Sequence, residues 1–195
     1  VDALSADVKD PIVTCCDHGI AAVIHFHRGD GAAARRHLAA AAPYAARIEH
    51  RVMVWPYALA LSLDLEQSGA PGKALAALAA GLASGAEVEE LLVDAVRLAV
   101  ETDNPELAST AAAAVEALMN GTEIPHRRAA GLCCRGLLER DPALLMRAAE
   151  EYRDAGRPLD RAQALEAAAV AFAIGGDASS AQVGYTAAVD VYLTL

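Results

Sequence analysis

The chain has 195 residues and a formal net charge of −10; 55% of its residues are hydrophobic but only 4% aromatic. A surface so acidic repels phosphate backbones, which argues against direct nucleic-acid binding by this segment, and no charge-free apolar run is long enough to span a membrane. Alanine and leucine carry most of the apolar content. Alanine loses no side-chain entropy in a helix and lets neighbouring helices approach, while alternation with period two is sparse, so the expected fold class is all-α. No basic stretch leading into an apolar one opens the chain, so a cytoplasmic location without a secretory leader is expected.

Residues 1–10 are polar and weakly patterned. The spacing of Ile12, Cys15, Cys16, Ala22, Val23 and Phe26 predicts a helix over 11–28, although Gly19 interrupts the signal. Gly29, Asp30 and Gly31 form a turn, and residues 32–41 predict a shorter helix ending near Pro43. The next helical stretch covers 47–67. It holds the only tryptophan, Trp55, followed by Pro56. A proline inside a helix removes a hydrogen bond and clashes with the preceding turn, so a break or kink is expected there.

The dense turn signal Ser68-Gly69-Ala70-Pro71-Gly72 precedes a helix over 73–83, with Leu75, Leu78, Ala79 and Leu82 on one side. A third pair covers 87–101 and 105–119, joined by Thr102, Asp103 and Asn104 ahead of Pro105. Leu107, Ala108, Ala111, Val115 and Leu118 form its core-facing stripe, and Asn120-Gly121 ends it. A fourth pair covers 125–140 and 142–155, with Asp141 as N-cap and Pro142 as first helical residue, where a missing N–H costs nothing. Gly156 closes it and Pro158 opens the fifth pair, 158–174 and 178–195, in which Ala181, Tyr185, Ala188 and Tyr192 share a face.

Turns at Gly29, Gly69, Asp103, Asp141 and Gly176 recur every 34 to 40 residues, close to the periods of tetratricopeptide and HEAT-like repeats. One helical hairpin cannot bury its stripe alone, so the expected architecture is a right-handed superhelix of about five tetratricopeptide-like hairpins. It is expected to form a single domain over residues 1–195.

The run RGLLERDPALLMRAAEEYRDAGRPLDRAQALEAAA, with its Gly-Gly-Asp turn and closing Tyr192, resembles the helical-repeat region of large ATP-binding LuxR-type transcriptional regulators of actinobacteria. These are similar in plan to the maltose regulator. The matching residues are Arg135, Gly136, Leu137, Leu138, Asp141, Pro142, Tyr152, Gly156, Arg157, Pro158, Leu159 and Tyr192. The resemblance covers the last third of the chain and is general before it. It implies a fragment of a larger regulator: a regulatory interaction or sensor segment lying between an ATPase and a helix-turn-helix. Its expected partners are the other domains of that regulator and a protein partner or small-molecule inducer, held in a helical groove. Neither end domain shows in these residues. Gly29-Asp30-Gly31 lacks the lysine and hydroxyl of a phosphate loop, and no basic recognition helix is present.

No catalytic residue, metal or cofactor is expected, and the chain reads as a non-enzyme. Trp55, Tyr57, Arg97 and Arg135 are the candidate groove contacts, because each falls on the first helix of its pair, the layer that lines the concave side of such superhelices. The rival reading is a metal-dependent sensor or small helical enzyme built on Cys15 and His18, three apart on a helix and able to reach one ion. His25 lies a further seven residues on, about 10 Å along the axis, too far to share that ion. Cys15–Cys16 and Cys133–Cys134 read as small buried thiols, since adjacent helical residues point apart. The acidic pairs Glu89–Glu90 and Glu150–Glu151 read as solvated faces. Homodimerisation is left open.

Overall fold

The computed structural model describes residues 10–48, 54–82, 89–119 and 123–195. The expectations for residues 1–9 and for Asn120-Gly121 lie outside these, as do the side chains of Glu89, Glu90 and Leu118. Among the described residues the chain is all-helical. Ten helices occur and no strand: α1 (Pro11–His27), α2 (Gly31–Ala45), α3 (Trp55–Gln67), α4 (Pro71–Leu82), α5 (Glu89–Glu101), α6 (Pro105–Met119), α7 (Pro125–Glu139), α8 (Pro142–Asp154), α9 (Pro158–Ile174) and α10 (Ala178–Tyr192).

Packing divides the chain into two compact units, residues 1–91 and 92–195. In the first, α1 packs on α2 and α3, and α3 packs on α4. Ala22, Phe26, Ala34, Leu38 and Ala60 form one part of its core, and Cys15, Ala41, Ile48 and Val54 another; Tyr57 touches both. In the second unit each helix from α6 to α10 packs on the next. Leu132, Leu145, Tyr152 and Leu165 supply the bulk of that core, with alanines such as Ala148 and Ala168 letting the helices close up.

A single turn design joins six of the helix pairs. A residue with positive φ (Gly29, Gly69, Asp103, Arg140, Gly156 or Gly176) ends each helix. The following N–H then reaches back five residues: Asp30 to His25, Ala70 to Leu65, Asn104 to Ala99, Asp141 to Gly136, Arg157 to Tyr152 and Asp177 to Phe172. This bond satisfies a helix-terminal carbonyl. In four of these turns the same residue caps the next helix through its side chain: Asp30 to Ala33 N–H, Asn104 to Leu107, Asp141 to Ala143 and Leu144, and Asp177 to Ser180. Asp141→Ala is therefore expected to cost about 1 kcal/mol, read as a lower urea midpoint with an unchanged slope.

The structure sharpens or corrects the expected elements at three points. Helix α2 does not end before Pro43 but runs through it to Ala45. Pro43 and Ala39 both lie on the exposed face, so the carbonyl that loses its partner meets water instead. The break expected at Pro56 takes the form of a helix start, since Pro56 sits in the first turn of α3, where its missing N–H is no loss. Gly19 does not interrupt α1. It is buried, and a Cβ there would lie 2.8 Å from the Tyr57 nitrogen and 2.9 Å from the Pro56 carbonyl carbon, so glycine is what lets α3 start directly against α1.

Candidate functional site

Small side chains leave a groove on the first unit. Along α4, Leu75 and Leu78 turn into the core, which places Ala77, Ala80 and Gly81 beside open space. Gly81 lies so near α3 that a Cβ would stand 3.1 Å from that of Ala58. Ala42, Ala45 and Ala46, at the end of α2, form the opposite wall. Val54, Tyr57, Ala58 and Leu61 complete the lining, around a volume of about 290 Å³. These side chains are apolar with one exception. The Tyr57 hydroxyl is the only side-chain hydrogen-bonding group among them. Burial, with the neighbouring Cys15 adding to it, raises its pKa above the ordinary 10, so at neutral pH it remains a donor. The groove can thus hold a compact apolar body and orient one polar atom.

The four residues expected to make contact are placed as follows. Tyr57 is half-buried and lines the groove. Trp55, also half-buried, is the first residue of α3, two positions before Tyr57, and is not in the lining. Arg97 and Arg135 belong to the second unit. Arg97 on α5 is held between Asp94, at 3.0 Å, and Glu101, at 3.6 Å. Arg135 is half-buried on α7, between the buried residues Cys134 and Gly136. The alanines of the groove were not legible as a site, since only the missing bulk of their side chains marks them.

Cys15 and His18 do not face a common point. Cys15 is fully buried in the core with Ala41, Ile48 and Val54. Burial first, then Cys16, pushes its pKa up to about 11, which opposes the thiolate that a metal ligand or nucleophile needs. His18 instead meets His37 of α2, Nδ1 to Nδ1 at 2.9 Å. His37 also stacks on His25, with ring centroids 5.4 Å apart and planes 14° apart. The helix α2 thereby gathers two histidines that α1 alone keeps apart. Among the described residues no group of three or more His, Cys, Asp or Glu is placed to hold a metal ion.

The four cysteines form no disulfide; Cys15, Cys133 and Cys134 are buried and Cys16 is partly exposed. Burial raises the Cys133 pKa to about 12, with Asp160 and Asp94 adding to it. Glu150 and Glu151 are ion-paired, with Arg153 and, at 2.6 Å, Arg128 respectively. No described helix is long and apolar enough to cross a membrane. Compared with protein-family models, curated proteins and solved structures, the chain shows no match.

Proposed function

We propose that this chain is a regulatory interaction or sensor module, without enzymatic activity, of the kind found in LuxR-type transcriptional regulators. Its hairpins would stack in the tetratricopeptide manner, and the groove walled by α2, α3 and α4 would take up a small inducer. The observation that carries the reading is the groove itself: alanine and glycine walls with one hydroxyl, that of Tyr57. Its size favours a small molecule over a partner helix, since about 290 Å³ lies near the lower end of ligand pockets, roughly 300–1,000 Å³. The run from Arg135 to Leu159 supports the regulator reading through its resemblance to that family. Residues Arg97 and Arg135 would then serve contacts with other domains or a protein partner. The alternative, a metal-dependent sensor or helical enzyme using Cys15 and His18, has the weaker support because Cys15 lies in the core.

The test uses anilinonaphthalenesulfonate, an anionic dye with apolar aromatic rings, followed by its own fluorescence and that of Trp55. One saturable site on the native protein is expected. Ala80→Phe, at an exposed position of the lining, should fill the groove and remove that site while leaving the helical circular dichroism unchanged. Absence of saturable binding, or equal binding by the variant, would count against the groove.

A further inference from the structure

We infer that the His18–His37 pair, backed by His25, is an acid-sensitive latch that fastens α1 to α2. The pair spans the first hairpin, 19 residues apart in sequence, with its two Nδ1 atoms 2.9 Å apart. Two imidazoles in this geometry share one hydrogen. One ring must carry it on Nδ1, and the other must leave its Nδ1 lone pair free to accept. One added proton charges one ring and leaves the shared bond in place; a second added proton converts the acceptor into a donor and sets two positive rings in contact. The bond is then replaced by repulsion.

The surroundings of His37 reinforce this sign. From α1 come His18 at hydrogen-bond distance and His25 stacked upon it; from α2 itself comes Arg36. Helix α3, which packs on both α1 and α2, sets Asp64 against Arg35 at 2.8 Å. On α1, Asp17 adjoins His18 in sequence and is exposed, and at the hairpin turn stands Asp30. One of its oxygens caps α2 through Ala33 N–H, and the other stands 3.7 Å from His25 Nδ1. Desolvation, then His18, His25 and Arg36, hold the His37 pKa below 6.5. Between that lowered value and 6.5 the folded protein binds fewer protons at His37 than the unfolded chain does. The latch therefore contributes fully above that window, and its contribution is lost as pH falls through it.

A metal site is the competing reading, and the geometry disfavours it. His25 presents its face to His37, so the in-plane lone pairs of the two rings cannot converge on one ion. Cys15 is turned into the core. Only two donors remain, fewer than the three protein ligands of an open zinc site. The latch also bears on the groove, because α2 carries both His37 and the wall residues Ala42 and Ala45. The inference holds whatever occupies that groove.

The test is amide hydrogen exchange on the intact chain, with rates normalised to their intrinsic values. Helix α10 serves as internal reference, since the sequence from Pro158 onward contains no histidine. Between about pH 8 and about pH 5, where histidine changes charge, protection of α1 and α2 should fall roughly threefold to tenfold relative to α10, the change expected from losing one net hydrogen bond. In His37→Gln this relative fall should disappear. A second measurement on His18→Gln should show the His37 ring titrating closer to 6.5 than in the parent. Equal pH response of α1, α2 and α10 in the parent would overturn the latch. So would zinc chloride protecting α1 and α2 in the parent but not in His37→Gln, an outcome that would make the pair a metal site.

Discussion

Gly19→Ala is expected to destabilise the first unit by about 2 kcal/mol, the cost of forcing extra atoms into a packed contact. Two effects oppose each other here. Alanine is the better helix former, by about 1 kcal/mol over glycine in a helix interior, so propensity alone predicts a gain. The new Cβ, however, would lie 2.8 Å from the Tyr57 nitrogen and 2.9 Å from both the Pro56 carbonyl carbon and its Cβ. Two of these atoms are backbone, and Pro56 sits in the first turn of α3. No rotamer change relieves the overlap; α1 and α3 must move apart along their contact. The clash therefore outweighs the propensity. A urea titration checks this: the midpoint should drop with an unchanged slope, and a rise in midpoint would contradict the packing described for α1 and α3.

Leu145→Ala should be the most damaging truncation in the second unit, at about 3 kcal/mol within the 2–5 range of buried leucines. Leu145 is 1% exposed and stands at the centre of the second core. It also fills the space in front of Gly136, where a Cβ would lie 2.7 Å from its Cγ and 3.1 Å from its backbone nitrogen. The two positions are thus coupled. Gly136→Ala alone should destabilise by overpacking, whereas in the Leu145→Ala background the same methyl enters a cavity and its cost should shrink or reverse. A double-mutant cycle reads the coupling directly; additive effects would show that α7 and α8 do not meet at this point.

The turns were the most legible part of the chain, for a physical reason. Gly29, Gly69, Gly156 and Gly176 take up positive φ, the conformation that glycine tolerates and other residues resist. The adjoining Asp30, Asp141 and Asp177 are side-chain acceptors placed where helix N-termini need them. Arg140 was not legible as a turn residue. Its φ of 52° has no sequence signal, and only the following Asp-Pro betrayed the helix boundary. Pro43 misled because the exposure of its helix face is a tertiary fact. Gly19 misled because glycine signals both a broken helix and a close approach, and periodicity does not separate them.

The candidate site was legible only in part. Tyr57 stood out as one of few aromatics, and it does line the groove. The walls did not stand out, since alanine has no chemistry to mark a cavity. The histidine pair was hidden for another reason. His18 and His25 lie on one helix, but His37 reaches them only through the register of the α1–α2 hairpin, which helical spacing within α1 cannot supply.

The groove is tested most directly by mapping amide chemical shifts on isotopically labelled protein during titration with anilinonaphthalenesulfonate. The shifts should concentrate on Ala42, Ala45, Tyr57, Leu61, Ala77 and Gly81, which line the space between α2, α3 and α4. Shifts centred instead on the exposed apolar residues Val170, Ile174, Val183 and Tyr185 of α9 and α10 would contradict the account and move the binding surface to the second unit.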